Sequence, residues 1–572
     1  MPVTKKDIAA VLDNIGVLLE LKGEHPFKAR AYYNAARCIE NLEEDIHLLI
    51  SEDRLSSLKG IGSALDRKIR SLALTGSLDY YDELKSSVPP GHLEMLRIQG
   101  LGPKKIRKLH ENLNIETLGE LEYACRENRL LDLPGFGRKS QENILTGIDS
   151  LKRFSEKRLF VEAAEIAGAL LEAVQGSGHA IRSSIAGSLR RRNEVVKDID
   201  IVASSERPAE LAALFTGLPQ VERITSKGET KASIALSSGI NADLRIVTER
   251  EFPFALHHFT GSKEHNVAMR SRAIQMKLKM NEYGLFSDDG PIACASEEEI
   301  FAALGLAYIP PELRENCGEI EAAAEGALPV LVEMKDIRGV FHVHTTASDG
   351  TCSLKELAGF AKGMGLEYIG IADHSRSAYY AGGLSIDQVR RQHAEIDEMN
   401  RKDGSFRIFK GIESEILPDG SLDYDDSLLA EFDFVIVAVH SHFSMPEKEM
   451  TARVIKALEN KRTTMLAHPT GRLLLARNPY RIDMERVIDR AALTNTAIEL
   501  NSSPHRLDLD WRLCRPAKKQ GVRISINPDA HSAEGLSDIG FGINIARKGW
   551  LEKSDCLNCM GLKEISDYLS KK

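Results

Sequence analysis

The sequence predicts a multidomain α/β protein with a helical N-terminal third, an α+β middle and a C-terminal parallel β/α barrel. Three observations predict it. A hydrophobic-x-Gly-hydrophobic-Gly turn recurs three times before residue 150. Two aspartates, two residues apart, close a stretch that opens on Gly-Ser. After residue 340, short apolar runs end again and again in a histidine or an acid. The length of 572 residues requires several domains, since one core rarely outgrows about 250–300 residues.

Residues 1–50 read as amphipathic helices, with Ile8, Val11, Leu12, Ile15, Leu18 and Leu19 on one stripe. The first turn is LKGIGSALDRKI, residues 58–69; it returns as RIQGLGPKKIRKL, residues 97–109, and as DLPGFGRKSQENI, residues 132–144. The paired glycines are Gly60 and Gly62, Gly100 and Gly102, and Gly135 and Gly137. Two glycines permit a tight turn, and the helix that follows offers free backbone N–H groups to a phosphate. This helix-hairpin-helix signature grips DNA backbone without reading base sequence. The middle copy is the most basic, with Lys104 and Lys105 and no acid from Arg97 to His110. The chain's net charge is −9, so any DNA-binding surface has to be local.

The central stretch, residues 187–200, reads GSLRRRNEVVKDID. Asp198 and Asp200 share one face of a strand. Asp243, in NADLRIV, is a third carboxylate on a later strand. Clustered carboxylates repel one another unless cations sit between them. Their hard oxygens suit magnesium or manganese, and two such ions about 4 Å apart clamp an in-line phosphoryl displacement. Gly187 lets a phosphate approach the backbone, and Arg190 and Arg191 can neutralise it. Solvated strand-end acids are the plain alternative for Asp198 and Asp200.

With Gly-Ser ahead and Asp243 behind, the stretch resembles the nucleotidyltransferase palm of the family X DNA polymerases. Residues 256–273, LHHFTGSKEHNVAMRSRA, resemble the polymerase beta thumb. The resemblance implies nucleotide contacts from Gly187, Ser188 and Arg191, and a sugar cradle from Phe259 and Gly261. It also implies that Asn266 probes the minor-groove edge of the incoming base and Arg270 the templating strand. Minor-groove acceptors are nearly common to all base pairs. His258 and Lys263 stand where the relatives carry a tyrosine and an aspartate. The match runs to about residue 317. Lys68 aligns with a lysine that forms a Schiff base with a 5′-deoxyribose phosphate; read from the residues alone, it is one more phosphate-contacting lysine. Arg67 and Arg70 are expected to lower its pKa.

Residues 318–335 are Ala/Glu-rich and read as a linker with a short docking segment. Nine of the 17 histidines follow residue 340. The strand-end candidates are His342, His344, Asp349, His374, Glu413, His440, His468, Asp529 and His531. Strands alternating with helical segments predict a parallel barrel whose site lies at the strand C-terminal ends. A mixed N/O ligand set without cysteine suits zinc, manganese or iron. The pattern is similar to the PHP phosphoesterases, which implies a distorted (β/α)7 barrel holding three divalent metals, zinc or manganese or both, on those nine ligands. Asp373 and His442 are expected just outside the ligands.

The domain plan is a helical domain over 1–90, a fingers-like hairpin domain over 91–150, the palm over 151–250, the thumb over 251–317, the linker over 318–335 and the PHP domain over 336–572. Resemblance to bacterial family X polymerases with a PHP domain implies template-directed gap filling in base excision repair. It also implies a metal-dependent 3′–5′ exonuclease, and leaves abasic-site endonuclease and 3′-phosphatase activity open. The expected partners are gapped or nicked duplex DNA and deoxynucleoside triphosphates. Two rival readings are a DNA-end scaffold with a structural barrel and a phosphatase for small phosphate esters. Eight scattered cysteines suit a reducing compartment. No apolar run is long enough for a membrane span and the N-terminus lacks a signal-peptide core, so the expectation is a cytoplasmic monomer.

Overall fold

The computed structural model describes residues 3–40, 42, 44–58, 60–131, 133–152 and 157–571. Two hairpin residues, Lys59 and Asp132, lie outside the described residues. The chain forms two units, residues 1–151 and 152–572.

The first unit is helical. One apolar core runs from Ile8 through Ile69 and Ile106 to Ile148, with no break at the expected 90/91 boundary. The three Gly-Gly turns precede the helices Ser63–Thr75, Pro103–Leu113 and Arg138–Lys152. The first glycine of each pair is left-handed: φ is 97° at Gly60, 84° at Gly100 and 93° at Gly135. A side chain there would be strained. A Cβ added at any of the six glycines would meet nothing within 4 Å, so the turns present bare backbone to open space.

The second unit begins with a five-stranded sheet: β1 (Arg182–Ile185), β2 (Asp198–Ser204), β3 (Val221–Lys227), β4 (Lys231–Leu236) and β5 (Asn241–Val247), in the order β1-β2-β5-β4-β3. Only β2 and β5 run parallel. Strand periodicity sorts their side chains. Ile199 and Ile201 of β2, with Ala242, Leu244 and Ile246 of β5, enter the core beneath the helices Phe160–Gly176 and Pro208–Thr216. Asp198, Asp200 and Asp243 are thereby left on the opposite face.

Seven parallel strands follow in sequential order: β6 (Gly339–Val343), β7 (Tyr368–Ile371), β8 (Arg407–Glu415), β9 (Phe434–Ala438), β10 (Met465–Leu466), β11 (Ala497–Asn501) and β12 (Ile524–Asn527). They are buried along most of their length, as parallel strands covered on both faces must be. Two bonds draw the ends of the sheet together: the Ala530 N–H donates to the His342 carbonyl and the His344 N–H to the Ala530 carbonyl. Beneath them, the buried Asn558 amide donates to the carbonyls of Gly339 and Ile526 and accepts from the Ile526 N–H. The result is a near-closed barrel. Residues 318–335, expected as a linker with a short docking segment, form a helix and then meet the barrel. The helix Glu319–Glu325 starts on a fully buried Glu319, which accepts from the Asn316 and Cys317 N–H groups, and Leu331 bridges to Glu552. Among the described residues, no helix is long and apolar enough to cross a membrane.

Two candidate metal centres

The parallel register of β2 and β5 sets Asp200 opposite Asp243 and Asp198 opposite Asn241. The turn from β1 into β2 closes against them: the Ala186 N–H donates to the Asp200 carbonyl at 2.8 Å. Gly187, with φ 63°, sits so close that a Cβ there would lie 2.2 Å from Asp200 Oδ2. Glycine is therefore required on two counts. Burial, reinforced by Asp198 and Asp243, pushes the Asp200 carboxyl up to about 6, against the pull of Arg245 and Lys231. Lys231, a residue the sequence reading passed over, sits 2.7 Å from Asp243. Three carboxylates, with Lys231 and Arg245 at the edge of the cluster, make a hard-oxygen donor set, and magnesium or manganese fits it.

The expected phosphate-binding arginines are engaged inside the molecule. Arg190 donates to Thr260 Oγ1 at 2.6 Å and to both oxygens of Glu297. Arg191 donates to Glu315 at 3.1 Å and to the Thr260 carbonyl. The turn at Thr260-Gly261 is thus clasped from the palm. Ser188 follows Gly187 and is half-buried. Phe259 lies under the Arg245 guanidinium, 4.7 Å from ring centroid to cation. The Asn266 amide is turned back to donate to the His258 carbonyl at 2.7 Å, and Arg270 is half-buried on the same helix, Lys263–Gln275.

In the first unit, Lys68 donates to the Tyr32 hydroxyl and lies 3.2 Å over the Tyr80 ring centre. Its pKa is lowered by burial and then by Lys28. The expectation that Arg67 and Arg70 lower it is corrected: Arg70 points at Asp66 and Asp53 instead. In the middle hairpin, Lys104 is exposed, whereas Lys105 donates to the Gly100 carbonyl at 3.1 Å.

The second candidate centre lies where the barrel strands end. All nine predicted side chains converge there. His344, Asp349, His374 and His531 bring donor atoms within 4.8 Å of one another, as do His342, Glu413 and His468; His342, His344 and Asp529; and His374, Glu413 and His440. Glu413 lies at the middle, 2.8–3.3 Å from His374, His468, His440 and His342. Burial opposes a proton on His342, yet Asp529, Glu499 and Glu413 outweigh it and raise its pKa well above the usual range. His344 goes the other way, lowered by burial and by His531 and His374. The buried His342 Nε2 and His344 Nδ1 make no hydrogen bond, although carboxylates stand at 3.3 and 3.5 Å. Imidazole nitrogens aimed between carboxylates without bonding them are a donor set that fits divalent cations.

Two carboxylates escaped the sequence reading. Glu499 accepts from His342 Nδ1 at 2.6 Å and from the His468 N–H at 2.8 Å. Glu415 pairs with His440 Nδ1 at 2.9 Å. Such outer carboxylates fix a ligand's tautomer and ring orientation. A signal was present: Glu499 sits near the end of an apolar run like the other candidates, and Glu415 shares the strand face of Glu413. Asp373 lies just outside the ligands, accepting from the Thr345 N–H at 2.7 Å and from the Ser348 hydroxyl, while His442 is exposed.

Four family descriptions match the chain: a helix-hairpin-helix domain over residues 3–78, a SAM-like helix-hairpin-helix tandem over 93–149, a DNA polymerase beta thumb over 255–315 and a PHP domain over 341–503. The DNA polymerase/3′-5′ exonuclease PolX of Bacillus subtilis is 41% identical over 571 residues, 99% of either chain. The chain belongs to the PolX family. Two shorter relatives match 40% and 33% of it: probable phosphatases of Syntrophotalea carbinolica, 29% identical over 94% of its length, and of Caldicellulosiruptor saccharolyticus, 31% identical over 78%. The PolX relative thus accounts for the whole chain, and the phosphatases for about the length of the barrel.

Two outcomes follow for this PolX-family chain. Asp200 binds its proton more tightly folded than unfolded, so in chelator the folded state loses up to about 3 kcal/mol as pH rises from about 4 through 6. Asp200→Asn should melt above wild type at pH 8 in EDTA but not at pH 4, and added magnesium should raise wild type more; superimposable melts would refute this. Glu499→Ala should lower metal affinity of the barrel by about 10–100-fold, read as metal retained after dialysis; full retention would show that Glu499 does not steady the ligands.

Proposed function

We propose that this chain is a template-directed DNA polymerase that fills short gaps in base excision repair, with a metal-dependent 3′–5′ exonuclease in its barrel. The observation that carries this reading is the presence of two separate clusters in the second unit, Asp198-Asp200-Asp243 and the nine barrel side chains. Each is a donor set for cations and each suits a phosphodiester. The PolX relative's name joins the same two activities.

In the palm, Asp198, Asp200 and Asp243 hold magnesium or manganese. Asp243 helps take the proton of the primer 3′-hydroxyl, whose oxygen bonds to the α-phosphorus as the bond to pyrophosphate breaks. Gly187 and Ser188 lie along the triphosphate, and Arg191 turns to it from Glu315. Phe259, Gly261 and Asn266 surround the sugar and base, and Arg270 meets the template strand. In the barrel, His342, His344, Asp349, His374, Glu413, His440, His468, Asp529 and His531 hold zinc or manganese. Bound there, such ions lower the pKa of water and neutralise a phosphate. Glu499 and Glu415 orient His342 and His440, and the phosphodiester is cleaved by water with loss of the 3′-terminal nucleotide. The probable-phosphatase relatives favour a 3′-phosphatase activity at the same centre, which would clear blocked ends before extension. The hairpin glycines Gly60, Gly62, Gly100, Gly102, Gly135 and Gly137, with Lys104 and Lys105, grip the DNA backbone, and Lys68 serves a 5′-deoxyribose phosphate lyase step. The domain plan from 1–90 to 336–572 is part of this reading.

On a gapped duplex with manganese, Asp198→Ala should lose nucleotide incorporation by at least about 100-fold, the upper range for losing a ligand's outer partner, and still degrade 3′ ends. His344→Ala should do the reverse. Loss of both activities in either variant would rule out two independent centres. Borohydride should trap the protein on an incised abasic site, and Lys68→Ala should abolish the adduct; an adduct that persists would remove Lys68 from the lyase role.

A further inference from the structure

The nucleotide turn of the palm is held from the PHP barrel. Lys548 ends the barrel helix Ile539–Lys548 and is 2% exposed. Its Nζ donates to the Arg191 carbonyl at 3.1 Å and to the Glu315 carboxylate at 2.5 Å. Glu315 also receives Arg191 Nε at 3.1 Å. One carboxylate, 17% exposed, therefore stands between two cations, one from the palm and one from the barrel. Three residues along the same turn, Glu194 is held at 2.7 Å by Arg472, which lies four residues after the ligand candidate His468. Phe541 of the same barrel helix packs edge-on against Phe160 of the palm.

The arrangement poses a problem for Arg191. Its guanidinium is committed to Glu315 and to the Thr260 carbonyl. To meet a triphosphate it must leave Glu315, and a largely buried carboxylate left without a cation is costly. Lys548 removes that cost, because it stays with Glu315 when Arg191 departs. We propose that Lys548 is a positioning residue for nucleotide binding: it keeps Glu315 neutralised and holds the Arg191 carbonyl, so that the Arg191 guanidinium can exchange the carboxylate for the triphosphate of an incoming nucleotide. The barrel then supplies a working part of the palm. This rests on the reading above that Arg191 contacts nucleotide.

The test is steady-state incorporation on a gapped duplex with the full chain. Lys548→Met leaves Arg191 as the one remaining cation on Glu315, so KM for the nucleotide should rise about 10-fold, one decade of affinity, with kcat within about 3-fold. Lys548→Arg should restore most of the loss. Glu315→Gln should lower KM, since it frees Arg191. The decisive variant is the pair: Lys548→Met with Glu315→Gln should show the KM of Glu315→Gln alone, because no carboxylate is left to strand. A KM that still rises about 10-fold when Lys548→Met is added to Glu315→Gln, or a fall in kcat and in 3′-end degradation together with the KM effect, would overturn the proposal and mark Lys548 as structural. If Lys548→Met does not fold, Glu315→Gln still decides: an unchanged or higher KM overturns the proposal. Arg191→Ala tests the underlying reading separately. An unchanged KM there removes Arg191 from the nucleotide site, whereas a raised KM there beside an unaffected Lys548→Met removes only the role of Lys548.

Discussion

Like charges crowded where water is scarce are the constraint on which this molecule turns. In the palm, Asp200 faces Asp198 and Asp243, and the crowding shows as a carboxyl that resists ionisation. In the barrel, Asp349, Glu413 and Asp529 are buried among six imidazoles, and those groups pull one another's proton affinities in opposite directions. Neither cluster would form for packing reasons. Each is enforced by backbone that has few alternatives: a parallel strand pair with Gly187 pressed against Asp200, and seven strand ends directed at one point. Cations satisfy such clusters, and phosphodiester chemistry uses cations held in this way.

The support around each centre is also ionic. Glu297 shows how strong it is: burial alone would raise its pKa, but Arg314 and Arg190 outweigh burial and hold it at about 2. These ion pairs and the Arg191–Glu315–Lys548 triad tie palm, thumb and barrel together beside apolar contacts such as Phe160 against Phe541. Ionic seams of this kind can exchange partners when a charged ligand arrives, whereas an apolar seam has no such alternative state. That difference suits an enzyme whose substrate is a polyanion.

The helical hairpins complement these centres with turns of bare backbone. Their glycine turns carry no side chain toward open space, so a phosphate can reach the backbone itself. Backbone contacts position a duplex without selecting its sequence, in keeping with the gap-filling role proposed above.

Much of this was legible in the chain, and the reason is local. Gly187, the Asp198–Asp200 spacing, the three Gly-Gly turns and the nine strand-end candidates all reflect short-range backbone geometry, where a strand period of two or a left-handed turn dictates residue type at fixed spacing. The sequence by itself determined the architecture, the side chains that converge at the two candidate centres and the family resemblance. What it could not determine was which charges meet across long separations. Glu499 beside His342, Lys231 beside Asp243, Lys28 rather than Arg67 and Arg70 near Lys68, and Lys548 beneath Glu315 are pairings of residues far apart along the chain or on different elements. Coulomb attraction and burial act through space and carry no sequence period, so only the tertiary structure decided them.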